Sequence, residues 1–263
     1  MKIGTTDTRR TDRTGIRPFL GSWRRERFLG FGSVFLVYAL YFPLTKYTLS
    51  LEPVGITTAF DHAIVLSPVW IVAYAMIYPA AILPVFVVKD PLVFRRVMMA
   101  YIGLELIAIL LFIICPVHMT IRPPIDAIQG TDFFSWGLRF CFWADHPTCC
   151  FPSLHVATAV FSALSCWRVD RRIGLGAGIV ALLISASTLL IKQHFVYDVI
   201  AGGGLAFFFY FVWVQNAKAL DHARLACARW WLSLPIAFFV LLMTVFFVLF
   251  QLGWEPWLTS GAQ

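Results

Sequence analysis

The sequence predicts an all-α polytopic membrane protein with about seven transmembrane helices. Its 263 residues are 60% hydrophobic and 13% charged, and the mean hydropathy is +0.78. This is more apolar surface than one soluble core of that length can bury. Seven apolar runs are candidates to cross about 30 Å of hydrocarbon, the fourth being short. They cover residues 28–45, 64–88, 97–117, 151–167, 173–191, 195–214 and 232–252.

A basic tail precedes the first run. Residues 1–29 hold eight of the 21 Lys and Arg residues and three acidic residues. Because the tail leads directly into an apolar run, its charge suits an anionic membrane surface better than nucleic acid, and no nucleic-acid partner is expected. The first run is long and lacks a small-residue cleavage pattern, which favours a retained span over a signal peptide. The expected organisation is therefore a cytoplasmic tail, 1–29, and an integral membrane domain, 30–263.

The Lys and Arg residues between the runs predict the orientation. Three of the connections between runs lie on the side of the tail and carry three Lys or Arg residues each. With the eight in the tail, 17 of the 21 Lys and Arg residues are on that side. The other side has only Lys46, Arg122, Arg139 and Lys192. By the positive-inside rule the N-terminus is cytoplasmic and the C-terminus is outside.

Polar residues from four places in the chain then fall on the outer face. They are Arg122 after the third run, Ser153 and His155 at the start of the fourth, Lys192 and His194 at the end of the fifth, and Asp198 at the start of the sixth. The assignment of the runs used none of these residues, so their convergence predicts one shared site. Ionisable groups close to a bilayer are costly and usually serve a function.

Two histidines carry the predicted chemistry. His194 and Asp198 are four residues apart, which places them on one face of a helix. The carboxylate can accept a hydrogen bond from one imidazole nitrogen and leave the other basic, which is how a histidine becomes a nucleophile. His155 follows Pro152 in the first turn of an apolar helix. The free amides and the dipole of such a helix end bind anions, so a phosphate group is expected beside His155.

Other polar and aromatic residues allow more than one interpretation. The aromatic segment 133–143 is expected to be an interfacial helix in the headgroup plane, either a simple anchor or a guide for lipid. Glu105, in the middle of the third run, is expected to form a hydrogen bond with a neighbouring helix rather than a proton path. Asp145 and His146 could form a metal site with His155, although a hydrated turn is favoured. Four cysteines near one face could pair or remain free thiols: Cys115, Cys141, Cys149 and Cys150.

The motifs resemble those of a known family. Pro152-Ser153-Leu154-His155 is similar to the Pro-Ser-Gly-His motif of the type 2 phosphatidic acid phosphatase superfamily. The spacing of Ser187, His194 and Asp198 resembles that of its third motif, and Arg122-Pro123 resembles the end of its first. Within the superfamily the motifs look most like the branch of fungal inositol phosphorylceramide synthases, with sphingomyelin synthases further away.

Two residues depart from the family pattern. Cys115 stands where the family has a lysine, and Thr188 stands where it has an arginine. Lys192, two residues before His194, could supply the missing positive charge. These departures weaken the expectation of simple phosphatase activity on a soluble or highly charged phosphate, and they leave the two histidines untouched.

The resemblance implies a phosphohistidine mechanism on a lipid phosphoester, with a catalytic core at about 97–216. His194 would attack phosphorus, Asp198 would orient it, and His155 would protonate the leaving alkoxide. Charge on the equatorial oxygens would be stabilised by Arg122, Lys192, Ser153 and the helix amides. No metal or other cofactor is expected, and either water or a lipid alcohol would resolve the intermediate. A transporter with an outer-face binding site is the alternative, disfavoured by the lack of visible repeats, and an inactive scaffold is the third.

Overall fold

The computed structural model describes residues 23–218 and 232–258. These two ranges form α-helices and loops and contain no strand. The α-helices are α1 (Trp23–Ala39), α2 (Tyr41–Thr48), α3 (Ala59–Ala63), α4 (Ile71–Ala75), α5 (Ile77–Val87), α6 (Pro91–Ile114), α7 (Phe133–Ala144), α8 (Leu154–Val169), α9 (Arg171–Leu190), α10 (Val196–Phe209) and α11 (Ser233–Gln251). Short 3-10 turns lie at Pro68–Trp70, Ile125–Ala127 and Pro256–Leu258, and a π-helical turn, Tyr210–Val214, extends α10.

Six helical stretches in the described ranges are long and apolar enough to cross a membrane. They are Glu26–Thr48, Pro68–Val87, Pro91–Ile114, Arg171–Leu190, Val196–Val214 and Ser233–Gln251. The remaining predicted span, α8, is an apolar helix of only 16 residues, slightly below the usual length of about 17–25. The chain is thus an integral membrane protein built as an all-α bundle, as predicted.

The first two predicted spans are interrupted. The run 28–45 forms α1 and α2, which meet at Leu40. The run 64–88 begins as an extended segment, because the residue before a proline is pushed away from the α conformation, and helix starts only at Pro68. Most of the predicted tail, 1–22, lies outside the described residues, and so do Arg224 and Arg229 of the last basic connection.

Helix α8 lies inside the bundle, where it packs against α5, α9 and α10. A small residue allows α10 to come close to α8. A Cβ atom at Gly202 would overlap the Ser153 carbonyl oxygen, and it would lie 3.3 Å from the Ala157 amide nitrogen. Gly203 and Gly204 face open space instead, so only Gly202 of the three is required for this contact.

The predicted aromatic helix is α7. Its Trp136 indole donates to the Trp254 carbonyl at 2.9 Å, and the Phe140 ring lies 5.2 Å from the Phe246 ring on α11. The helix is therefore packed on α11 and on the turn that follows it. Its position in the headgroup plane stays a prediction.

Candidate active site

The two predicted histidines lie side by side. His155 is in the first turn of α8 and His194 is in the loop between α9 and α10. The His194 Nε2 atom lies 3.4 Å from His155 Nδ1, and the ring centroids are 5.6 Å apart. The convergence that the sequence predicted for these two residues is confirmed.

The contacts of His194 define which of its nitrogens is basic. Its Nδ1 lies 3.0 Å from the Cys150 carbonyl oxygen and 3.5 Å from Asp198 Oδ2. A carbonyl oxygen can only accept, so Nδ1 carries the proton and Nε2 keeps its lone pair. The basic Nε2 is the nitrogen that faces His155. The sequence does not reveal the Cys150 carbonyl as the partner of His194, because a backbone acceptor leaves no signature in residue type.

Asp198 contacts the backbone of α10 as well as His194. Its Oδ2 accepts from the Phe195 amide at 2.7 Å, in the first turn of α10. Its Oδ1 is buried and has no hydrogen-bond partner in the described part of the chain. Asp198 is fully buried, so it anchors the start of α10 and presents negative charge to His194 from within the protein.

Tyr74 is a site residue that the sequence analysis missed. Its hydroxyl lies 2.7 Å from His155 Nε2, and the two rings are 4.6 Å apart. Because His194 Nε2 can only accept, His155 Nδ1 donates to it, and His155 Nε2 in turn accepts from the Tyr74 hydroxyl. Hydrogen bonds therefore run in one direction from Tyr74 through both histidines to Cys150. Tyr74 lies in an apolar run without a motif, so only its three-dimensional position reveals it.

Ser153 is the N-cap of α8. Its Oγ accepts from the Val156 amide at 3.3 Å, and its own amide donates to the Asp198 carbonyl at 3.0 Å. Helix α8 therefore begins at Leu154, two residues after Pro152, where the sequence placed the start. The Leu154 and His155 amides come before Ala157, whose amide is the first donor of an intrahelical hydrogen bond, at 2.9 Å to the Ser153 carbonyl, as expected of a helix N-terminus. The hydroxyl of Ser153 stabilises the helix, and its predicted contact with substrate stays a prediction.

Lys192 is held by α3. Its Nζ donates to the Asp61 carbonyl at 2.6 Å, and the Val196 amide donates to Asp61 Oδ1 at 2.8 Å. Asp61 also forms a capping box with Thr58 at the start of α3. Asp61 therefore ties both ends of the 192–196 loop that carries His194. Lys192 adopts a φ of 56°, an uncommon conformation for a residue with a side chain.

Burial and hydrogen bonding perturb both partners in this contact. Burial raises the pKa of Asp61, but the hydrogen bonds from Thr58 and from the Val196 amide outweigh it, and the pKa lies below its ordinary 3.8. Burial lowers the pKa of Lys192, although the charge of Asp61 opposes this effect. The Lys192 ammonium is consequently engaged by α3, and its predicted role in charge stabilisation stays a prediction.

Arg122 is fixed beside α7. Its Nη2 donates to the Phe142 and Asp145 carbonyls at 2.5 and 2.9 Å, and its guanidinium carbon lies 3.8 Å from the centre of the Phe142 ring. Its Nη1 is buried and lacks a hydrogen-bond partner among the described residues. Burial lowers the pKa of Arg122, while Cys141 and Asp145 raise it. The predicted contact of this guanidinium with substrate stays a prediction.

Asp145 differs from the hydrated turn that the sequence suggested. Its Oδ1 accepts from the Tyr41 hydroxyl at 2.9 Å. Burial raises the pKa of Asp145, and Tyr41 and Arg122 oppose that rise. Asp145 is therefore a hydrogen-bonded residue at the C-terminal end of α7.

Two cavities meet at His155. The larger, of about 370 Å³, extends along α1, α5, α6 and α8 and includes Glu105 in its wall. The smaller, of about 170 Å³, lies under α7 and is lined by Tyr74, Cys141 and Asp145 as well as His155. The expected hydrogen bond of Glu105 to a neighbouring helix is wrong for Oε2, which is buried without a partner within 23–218 and 232–258.

The structure brings together a set of possible metal ligands, and this set differs from the one that the sequence suggested. Ligand atoms of Cys150, His194 and Asp198 all lie within 4.8 Å of one another. The set would fit a cation such as zinc chemically, but it includes the histidine placed as the nucleophile. Cys115, Cys141, Cys149 and Cys150 are free thiols, so the pairing alternative is wrong for them.

Comparison with known protein families identifies the family of this chain. Residues 48–213 match the PAP2 superfamily, and this match spans well over half of the chain and includes Tyr74, both histidines and Asp198. Comparison with curated proteins and with solved structures gave no match. Membership of this superfamily supports a phosphatase-type enzyme that hydrolyses or transfers a phosphate-bearing group. The chain belongs to the PAP2 superfamily.

Proposed function

We propose that the protein hydrolyses or transfers a phosphate-bearing group of a lipid through a phosphohistidine at His194. One observation carries the proposal: the hydrogen bonds from Tyr74 through His155 to His194 run in one direction. They leave a lone pair on His194 Nε2 and a proton on His155 Nδ1, which face each other. These two atoms are 3.4 Å apart in a direct hydrogen bond, so a phosphate group that enters between them would meet a nucleophile on one side and a general acid on the other.

The reaction then has two steps. His194 Nε2 attacks phosphorus, and the N–P bond forms as the bond from phosphorus to the lipid oxygen breaks. The negative charge of the bound phosphate favours the imidazolium form of His155, which gives its Nδ1 proton to the leaving oxygen and returns to the neutral imidazole. In the second step water or an alcohol attacks the phosphohistidine, His155 Nδ1 takes the proton of the attacking group, and His194 Nε2 is released.

Positive charge and backbone donors stabilise the transferred group. Nη1 of Arg122, which has no partner among the described residues, and the first amides of α8 are proposed to donate to this group, because donors fixed before the reaction lower a phosphoryl-transfer barrier. Lys192 and Ser153 are proposed to add to them. We assign no metal to this reaction.

The surroundings of the histidines support the proposal of a lipid substrate. The larger cavity extends from His155 between the membrane helices and is lined mostly by apolar side chains, so a hydrocarbon chain can lie in it. The distribution of 17 Lys and Arg residues on one side and four on the other favours a site on the non-cytoplasmic face. The motif form that is similar to inositol phosphorylceramide synthases favours a lipid alcohol as acceptor over water.

The test is turnover by the purified protein. Phospholipids labelled in the phosphate group are supplied with and without ceramide or diacylglycerol, and both free phosphate and new lipid products are measured. His194→Ala should abolish turnover and the acid-labile phosphoenzyme, because no intermediate can form. His146→Ala, which changes a nearby histidine outside the proposed mechanism, should retain both. Turnover by His194→Ala at the wild-type rate would refute the proposal.

A further inference from the structure

The wall of the larger cavity is apolar except at a few positions. Phe31, Phe35 and Ile82 are among its lining residues, and the cavity extends as far as Met98 on α6. His155 is also part of the wall. The cavity volume of about 370 Å³ is within the range of small-molecule sites, roughly 300–1,000 Å³. A lipid with its phosphate at the histidines can therefore place hydrocarbon in this cavity.

Glu105 is an unusual residue for such a wall. It is 2% exposed, and its Oε2 has no hydrogen-bond partner among the residues described. A buried polar atom without a partner costs about 1–3 kcal/mol, more for a charged group. An apolar residue would avoid that cost. Because Glu105 lines the larger cavity, its unpaired carboxyl oxygen points to a ligand that completes it.

The depth of Glu105 relates it to the histidines. Tyr101, one turn earlier on α6, donates to the Thr158 carbonyl at 3.4 Å. Thr158 is three residues after His155. The Cys150 amide, before α8, donates to the Val117 carbonyl, after α6, at 3.3 Å, so the two helices run in opposite directions. Glu105 is one turn after Tyr101 on α6, and His155 is about one turn before Thr158 on α8. Because the helices are antiparallel, both steps lead towards the same end of the bundle, each by about 5.4 Å. Glu105 therefore lies close to the level of His155, where the lipid atoms next to the phosphate would be.

We infer that the larger cavity binds a lipid with a hydroxyl or amide N–H group a few bonds from its phosphate, and that this group donates a hydrogen bond to Glu105. A carboxyl oxygen accepts such a bond in either protonation state. Lipids with only ester groups at that position offer no donor, and they leave Glu105 unpaired. Glu105 is thus a specificity-determining residue, and this inference rests on the proposed lipid phosphoester function.

The experiment compares two lipids of matched chain length. Ceramide 1-phosphate has a hydroxyl and an amide N–H near its phosphate, whereas phosphatidic acid has two esters there. Equimolar amounts are added to the purified full-length His194→Ala protein, and the ratio of bound lipids is read by native mass spectrometry. The ratio should favour ceramide 1-phosphate by about three- to tenfold, the effect of one net hydrogen bond.

Variants of Glu105 in the same background assign the preference. Glu105→Leu should bring the ratio close to one, and Glu105→Gln, which keeps a carbonyl acceptor, should retain most of it. Leu106→Ala is the control, because Leu106 is 47% exposed on another face of the same helix. A ratio of one in the parent protein, an unchanged ratio in Glu105→Leu, or no binding of either lipid would overturn the inference.

Turnover distinguishes this inference from the proposed function. Wild-type protein that prefers ceramide 1-phosphate in binding but forms no phosphoenzyme would refute the function and leave the lipid site. Equal turnover of both lipids, without a binding preference, would refute the role of Glu105 and leave the function.

Discussion

The hydroxyl of Tyr74 determines the proton position on His155. With Tyr74 donating to Nε2, the proton of neutral His155 stays on Nδ1, where the leaving oxygen would be. Tyr74→Phe removes this donor and allows both tautomers. We expect kcat to fall by about tenfold or more with little change in KM, since an acid contributes about 10²–10⁴-fold in total and this change only misplaces it.

The measurement for Tyr74→Phe is a full pH–rate profile with a good and a poor leaving group. The loss should be larger for the poor leaving group, because that substrate depends most on protonation. Tyr47→Phe, at a residue that is 52% exposed, serves as the control. A loss equal for both leaving groups would assign Tyr74 to packing alone.

Lys192 and Thr188 are neighbours in the chain with different capacities. Lys192 carries the only side-chain charge between α9 and His194, and the Thr188 hydroxyl is already bonded to the Ser185 carbonyl at 2.8 Å. Lys192→Ala should therefore raise the activation barrier more than Thr188→Ala, by up to about 2.7–4 kcal/mol if the charge acts on the transition state. The measure is kcat/KM. Lys192→Gln separates the causes, because recovery of activity by this neutral donor would show that the bond to Asp61 matters and the charge does not.

At the scale of elements, the α8–α10 contact fixes the distance between the histidines. Gly202→Ala would drive a methyl group into the Ser153 carbonyl, at the N-cap of α8. We expect a loss of about 1–3 kcal/mol in the free energy of unfolding, together with lower activity. Gly203→Ala is a matched control, since its Cβ would meet open space. Thermal unfolding in detergent measures the difference, and equal stability of both variants would contradict the contact.

The elements also show what sequence patterns can and cannot predict. Apolar runs predicted α6, α9 and α11 well, because a bilayer demands long apolar helices whatever their neighbours are. The start of the helical segment at Pro68 was not predicted, because a continuous apolar run does not show where a helix begins. At the site, the residues with ionisable motifs were found, whereas Tyr74 and the Cys150 carbonyl were not. Both act through contacts between distant parts of the chain, which periodicity does not report.

At the scale of the whole molecule, the charge distribution predicts which face carries the site. Single cysteines are introduced into the 123–131 loop and the 168–172 loop of a cysteine-free variant. An impermeant thiol reagent on intact cells should label the first and spare the second, by the positive-inside rule. Lysed cells should label both, which controls for accessibility. Labelling of only the second loop in intact cells would invert the orientation and place the site in the cytoplasm.

The bonds of Asp61 also bear on the order in which the molecule folds. They join Asp61 to Lys192 and Val196 across 131 and 135 positions, and Tyr74 reaches His155 across 81. Contacts between residues so far apart form late, because the entropy of closing the intervening chain is lost before the contact repays it. Domains are also synthesised from the N-terminus, so α3 and Tyr74 exist before α10 emerges. The catalytic centre is therefore completed late, and a nascent chain that ends before residue 198 contains both histidines but lacks the carboxylate that orients His194.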